Sequence, residues 1–236
     1  DNLLNSNYIY DYIINTIDMN TNYLDIFIHS FDVKSEKNIK KIYPQCKKYL
    51  IEPQINFRNK LMNENLLFEK TLDKQIFPIP ITLESQLSFM YSRKQSILMA
   101  LESNINYDLI IWCRFDMNIR LKKKNNQCNP TKLILPKINE IDCNKFYMSY
   151  WEHFYSGYSD HWFFSNPENM KILAYIYDNL YKYYKINSDF HNYTITLSKK
   201  YNNNGFAANS HTIHEFYLKS HEKILLNIKL LKFFGN

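Results

Sequence analysis

A pair of charges follows an apolar run with no turn residue between them. Leu109 to Cys113 is continuously apolar, which is typical of a buried strand, and Arg114 and Asp116 come directly after it. Alternate residues of an extended chain face the same side, so Arg114, Asp116 and Asn118 are predicted to project together. The oxygens of Asp116 and Asn118 suit a hard cation, Mg²⁺ or Mn²⁺, and the guanidinium of Arg114 suits a phosphate. A simple ion pair of Arg114 with Asp116 is the alternative interpretation.

A second candidate position lies in an aromatic stretch further along the chain. Asp160 follows the loop Tyr-Ser-Gly-Tyr-Ser and precedes the apolar run 162–164. A carboxylate at the lip of an aromatic pocket can serve as a general base, although a carboxylate that only hydrogen-bonds its own loop is an equal alternative. Trp151 opens the same loop and is a candidate to stack on a sugar or a base, with ordinary core packing as the default.

Two further positions carry candidate binding groups. His211 and His214 are three residues apart in a predicted helix, and His211 could complete a metal shell, although an isolated histidine at such a position is more often structural. Arg93 lies on the long helix predicted before the apolar run, where it could contact a diphosphate. A solvated charge is the alternative for Arg93.

The elements that must position these residues alternate along the chain. Apolar runs near 23–30, 48–54, 108–113, 145–150 and 160–166 predict strands. Helical spacing predicts helices near 34–43, 83–103 and 210–221 and one that begins at Pro167. This alternation predicts an α/β fold, a single domain over 1–236 with a mostly parallel central sheet flanked by helices. In open α/β sheets ligands bind beyond the carboxyl ends of the strands, which is where Arg114 is predicted to lie.

Composition and charge argue against some classes of function. Lys and Arg number 29 against 23 Asp and Glu, a net charge of +6, but these basic residues are scattered, which argues against a nucleic-acid partner. The four cysteines show neither a Cys-x-x-Cys pair nor metal-finger spacing, which favours a reducing compartment, and we expect a cytoplasmic protein. No stretch of the sequence is long and apolar enough to predict a membrane span. Composition gives no oligomeric state.

The order of these segments resembles that of nucleotide-sugar glycosyltransferases with the GT-A fold, which is Rossmann-like. The likeness is to poorly characterised bacterial and giant-virus enzymes and covers roughly residues 22–220. It rests on three segments: YLDIFIHSFDV with KYLIEPQ, FMYSRKQSILMAL with YDLIIWCRFDMNIR, and YSDHWFFSNPENMKIL. Two departures stand out. The acidic motif of the family is usually Asp-x-Asp where this chain has Arg114-Phe115-Asp116, and its usual first nucleotide-binding strand is expected upstream of Asp1.

The resemblance implies a substrate class and roles for the candidate residues. The donor would be a UDP- or GDP-sugar, the acceptor a carbohydrate hydroxyl, and the cofactor Mn²⁺ or Mg²⁺. Asp116 would bind the metal, with Asn118 and His211 as further ligands. Donor contacts would come from Arg93, Arg114, Asp116 and Trp151. Asp160 would be the catalytic base of an inverting transfer, whose acceptor hydroxyl loses its proton as it attacks the anomeric carbon.

Two other classes of function are weighed against this one. A carbohydrate- or nucleotide-binding domain of the same fold without turnover fits the altered acidic motif, because Arg114 replaces a carboxylate there. Binding of single-stranded nucleic acid through basic and aromatic residues ranks third, since the basic residues do not cluster.

Overall fold

Strands and helices alternate along the described part of the chain. The computed structural model describes residues 23–57, 59, 83–114, 140–149, 157–185, 187–200, 210–221 and 227–231. The strands are β1 (Phe27–Ser30), β2 (Lys48–Ile51), β3 (Ile110–Cys113), β4 (Phe146–Ser149), β5 (Trp162–Ser165) and β6 (Ile228–Leu231). The α-helices are α1 (Glu36–Ile42), α2 (Leu83–Leu101), α3 (Pro167–Ala174), α4 (Ile176–Tyr183), α5 (Asp189–Lys200) and α6 (Ser210–Lys219), and a 3₁₀ turn (Val33–Ser35) precedes α1. This is an α/β fold.

The described strands form two small sheets. β1 and β2 pair in parallel, with Ile28 opposite Tyr49. The second sheet has the order β3-β5-β4-β6, in which β5 runs antiparallel to both of its neighbours and β6 runs parallel to β4. The carboxyl ends of β3, β4 and β6 therefore meet the amino end of β5 at one edge of this sheet.

The expected mostly parallel central sheet is not confirmed. Two of the four strand pairings are parallel and two are antiparallel. The antiparallel pairings both involve β5, which lies between two strands that precede it in the chain. An apolar run shows that a strand is buried but says nothing of its direction, so the sequence pattern could not reveal the reversal at β5.

Helix α2 is the element that both sheets share. The predicted helix at 83–103 is confirmed, and its apolar residues Leu87, Met90 and Ile97 are buried. It packs against β1, β3 and α3. The predicted helix start at Pro167 is also confirmed. The side chain of Asn166 caps this helix by accepting a hydrogen bond from the backbone N–H of Asn169 at 2.9 Å.

A buried apolar cluster joins the two sheets. It takes Ile28 from β1 and Ile39 from α1, and it continues through Tyr147, Trp162 and Phe164 of the second sheet. A second cluster, under α2, is built from Leu87, Met90, Phe163, Leu173 and other buried apolar residues. In the parts of the chain that the structure describes, no helix combines the length and the apolar character that crossing a membrane requires.

Candidate functional site

Asp160 is the centre of a charged cluster at the edge where β3 ends and β5 begins. Its Oδ1 lies 3.3 Å from Nη1 of Arg114 and 3.8 Å from Nε2 of His211, and its Oδ2 accepts a hydrogen bond from the Ser210 hydroxyl at 2.7 Å. Only 7% of the Asp160 side chain is exposed. We call Arg114, Asp160, Ser210 and His211 the Asp160 cluster.

The local charges keep Asp160 ionised. Burial alone would raise its pKa, but the neighbouring side chains of His211 and Arg114 and the hydrogen bond from Ser210 outweigh burial and hold the pKa well below its usual range. A carboxylate stabilised in this way is a strong anchor for cations and a weak proton acceptor at neutral pH.

Asp160 faces the start of α6 because of a glycine. Gly157 has φ +89°, a conformation that favours glycine, and a Cβ on this residue would lie 2.2 Å from the carbonyl oxygen of His211. The close approach lets the Tyr158 N–H donate to that carbonyl at 3.0 Å, while Nδ1–H of His211 donates to the Tyr158 carbonyl at 2.9 Å. This two-way contact fixes the orientation of the His211 ring beside Asp160.

Arg114 brings β3 into the same cluster. Its backbone N–H donates to the His161 carbonyl at 3.1 Å, which continues the pairing of β3 with β5 by one residue. Its guanidinium lies 5.5 Å from the ring centre of Phe89 on α2, and 29% of the side chain is exposed. This fraction is larger than the 19% of the His211 side chain and the 7% of the Asp160 side chain that are exposed, so Arg114 is the more accessible to an anionic ligand.

Arg93 and His214 form a fully buried pair behind the Asp160 cluster. Arg93 has no exposed surface and donates to Nε2 of His214, which is equally buried. Since a guanidinium can only donate, His214 is neutral and its Nδ1 carries the hydrogen. Burial lowers the pKa of Arg93 to about 9, so it remains charged at neutral pH, and burial together with the charge of Arg93 lowers that of His214 well below the usual value.

Three aromatic rings enclose the Arg93 guanidinium. It lies 5.6–5.7 Å from the ring centres of Phe89, Trp112 and Phe163. Its other hydrogen-bond acceptors are the sulfur of Met90 and the carbonyl of Leu173. The negative charge of Asp160 acts on the Arg93 guanidinium and raises its pKa. Arg93 therefore adds a positive charge to the cluster from within the core.

The structure brings together three of the predicted site residues. Arg114, Asp160 and His211 lie in one cluster, because the antiparallel direction of β5 brings Asp160, which precedes that strand, to the carboxyl end of β3. Arg93 lies behind them and has no exposed surface that a diphosphate could contact. The predicted residues Asp116, Asn118 and Trp151 lie outside the described residues.

No protein-family model, curated protein or solved structure matches this chain. The site is therefore interpreted from its own chemistry. Among the described residues, no group of three or more His, Cys, Asp or Glu side chains is arranged to hold a metal ion. The predicted metal role of His211 stays a prediction, since its proposed co-ligands Asp116 and Asn118 are not among them.

Two residues of the site carried no assigned role in the sequence analysis. Ser210 is the first residue of α6, where a serine is ordinarily interpreted as a helix cap, and its hydroxyl instead binds Asp160, fifty positions earlier in the chain. His214 was noted only as a neighbour of His211 at helical spacing. Its spacing places it on the buried face of α6 beside Ile213 and Tyr217, and that face is the signal that could have identified it.

Proposed function

We propose that this protein is a glycosyltransferase that moves a sugar from a nucleotide diphosphate, UDP or GDP, to a carbohydrate hydroxyl. The proposal includes a GT-A-like fold and a cytoplasmic location. The observation that carries it is the charge of the site: Arg114 contacts one carboxylate at a strand edge, and Arg93 adds a second positive charge from the core behind it. The surplus of positive charge suits the diphosphate that leaves when the glycosidic bond to the donor breaks.

The described residues have distinct roles in this proposal. Arg114, which is partly exposed, contacts the donor phosphates. Asp160 holds Arg114 and His211 in position, and in an inverting transfer it is also the candidate to accept the proton of the acceptor hydroxyl. Arg93 raises the local positive potential from the core. Mn²⁺ or Mg²⁺, bound through Asp116 with Asn118 and His211, would add to that potential.

The arrangement of Asp160 also favours a second candidate function. Its oxygens accept from Ser210 and lie beside Arg114 and His211, and its pKa is held well below the usual range, which weakens it as a base. A domain that binds a nucleotide or carbohydrate without turnover needs the charge of the cluster but no base. The two functions therefore share a binding site and differ in catalysis.

Hydrolysis and transfer assays separate the two. The full chain is incubated with a panel of UDP- and GDP-sugars, with Mn²⁺ and with EDTA, and release of nucleotide is measured alongside donor affinity. A transferase releases UDP or GDP from one donor of the panel. Affinity for a donor without release supports the binding domain, and neither affinity nor release in the whole panel contradicts both.

Two variants test the assigned residues. Arg114→Met should weaken donor binding at least about tenfold, because charge-assisted hydrogen bonds to a phosphate are worth about 1.5–3 kcal/mol. Lys145→Met is the matched control, since Lys145 precedes β4 and lies at the opposite edge of the sheet. Asp160→Asn should abolish transfer while folded protein still binds the donor, and undiminished turnover in that variant removes Asp160 from the mechanism.

A further inference from the structure

A second polar cluster connects the β1–β2 sheet to helix α2. His29 Nδ1 lies 2.8 Å from the Ser92 hydroxyl, and His29 Nε2 lies 3.0 Å from Oε1 of Glu52. The three residues are far apart in sequence and belong to β1, to the segment directly after β2, and to α2. We call Ser92, His29 and Glu52 the His29 triad.

The hydrogen-bond partners determine which atoms of the triad carry hydrogens. An ionised carboxylate only accepts, so Nε2–H of His29 donates to Glu52. Burial lowers the pKa of His29, which keeps the ring neutral at neutral pH, and Nδ1 therefore carries a lone pair. The Ser92 hydroxyl donates to that lone pair. A hydroxyl that donates to a neutral imidazole, which a carboxylate orients from the other side, is the arrangement of an activated nucleophile.

Ser92 makes this contact instead of the usual one for a serine inside a helix. Such serines commonly bond back to a carbonyl of the preceding turn. Ser96, one turn later on the same helix, does so and donates to the Arg93 carbonyl at 2.9 Å. The side chain of Ser92 reaches across to the carboxyl end of β1, where ligands bind in α/β folds.

The base is held rigidly by its surroundings. The side chain of His29 has no exposed surface, and the rings of Phe31 and Tyr91 pack edge-on against it at 4.8 and 5.6 Å between ring centres. The backbone N–H of Glu52 donates to the Ser30 carbonyl at 3.1 Å, which anchors the carboxylate at the same sheet edge. Ser92 is half-buried, whereas the base beside it has no contact with solvent.

We propose that Ser92 is a nucleophile for esters, with His29 as its base and Glu52 as the residue that orients the base. The Ser92 oxygen bonds to the ester carbonyl carbon and its proton passes to Nδ1 of His29. The bond from that carbon to the alkoxy oxygen then breaks, and the alcohol leaves with the proton. Water then attacks the acyl carbon while His29 takes one of its protons. The bond from that carbon to the Ser92 oxygen breaks, and His29 passes the proton to this oxygen, which releases the carboxylic acid and restores the hydroxyl.

A fluorophosphonate probe tests the nucleophile directly. Its phosphorus bonds to the serine oxygen as the phosphorus–fluorine bond breaks, so a single stable adduct forms. Turnover of an ester would also need oxyanion donors, each worth about 10²–10³-fold in kcat, whereas the adduct reports the serine alone. We expect one adduct per chain by intact mass, which peptide mapping places on Ser92.

Two variants and two controls define the result. Ser92→Ala should abolish the adduct, and Ser96→Ala should leave it unchanged. His29→Gln should slow labelling about 10²-fold or more, the usual contribution of a general base. No adduct on the folded wild-type chain, under conditions that fully label a known serine esterase, overturns the proposal, as does an adduct that maps to another residue. Mapping of the wild type decides the question even where a variant fails to fold, and the readout is independent of sugar transfer.

Discussion

The Asp160 cluster and the His29 triad both involve helix α2, through the adjacent residues Arg93 and Ser92, but they differ in the number and burial of their charged groups. Arg93 supports the first and Ser92 belongs to the second, and both lie in the middle of α2. In the Asp160 cluster one carboxylate, 7% exposed, lies beside Arg114 and His211, with the buried Arg93 behind it. The His29 triad contains one carboxylate, 27% exposed, and a neutral imidazole.

This difference predicts unequal tolerance to the same change. Removing one partner of a buried set of charges leaves the others without compensation. When a partly exposed carboxylate is removed, water can solvate the groups that it contacted. The Asp160 cluster should therefore lose much more stability than the His29 triad when a carboxylate becomes an amide.

The largest expected effect follows from Asp160→Asn. The amide can still accept from Ser210, but Arg114 and the buried Arg93 lose their carboxylate, and we expect a loss of about 3–5 kcal/mol in the free energy of unfolding. Urea unfolding at pH 7 measures it. Glu52→Gln is the matched control because it makes the same chemical change in the other cluster. A loss below about 1 kcal/mol for Asp160→Asn would show that water, not the arginines, balances this charge.

Gly157→Ala tests whether the Asp160 cluster depends on the close approach of the loop to α6. The methyl group would meet the His211 carbonyl, and the backbone would hold a positive φ that alanine disfavours. Overpacking of about 1–3 kcal/mol and about 1–2 kcal/mol for the conformation predict a loss on the order of 3 kcal/mol. Thermal unfolding measures this loss. Donor affinity should fall with it, while labelling of Ser92 in the folded fraction should not change.

Much of the fold could be predicted from local patterns. The helix at 83–101, the start of α3 at Pro167 and the strand before Arg114 all have short-range signals in the sequence. The rule for strand ends predicts that Arg114 lies at a site, whereas its convergence with Asp160 depends on the antiparallel direction of β5. These predictions need only the residues within one element and the general placement of sites in α/β folds.

The burial of Arg93 and the direction of β5 could not be predicted in that way. A charged residue on a helix is expected to be solvated, because full burial is rare without a partner. The partner of Arg93 is His214, 121 positions away, and the rings that enclose it come from three different elements. Such contacts depend on tertiary packing, which sequence periodicity does not encode.

Acid should destabilise the protein through two buried histidines, His214 more than His29. Both folded pKa values are lowered, so the unfolded chain takes up protons first as the pH falls below about 6.5. Their contribution to stability is therefore present above pH 6.5 and is lost as the pH falls, by up to about 1.4 kcal/mol per pH unit for each histidine. Urea unfolding at pH 7, 6 and 5 measures this slope.

The two variants His214→Gln and His29→Gln separate the contributions. Each should reduce the slope between pH 7 and 5, and His214→Gln should reduce it over the wider range because the pKa of His214 is lowered further. A wild-type slope near zero in this range would contradict the neutral state assigned to both rings.

Glu52→Gln is expected to have the smallest effect on stability and is the most informative about the His29 triad. The glutamine oxygen can accept from Nε2–H of His29 as the carboxylate does, so the tautomer is retained and the free energy of unfolding should fall by less than about 1 kcal/mol. The negative charge that stabilises a protonated His29 is lost, however, and labelling of Ser92 by the fluorophosphonate should slow. If the Glu52 carboxylate only connects β1, β2 and α2, the variant would keep both the stability of the protein and the labelling rate of Ser92. Slower labelling at unchanged stability distinguishes an oriented base from a structural bridge, because only the base must accept a charge during the reaction.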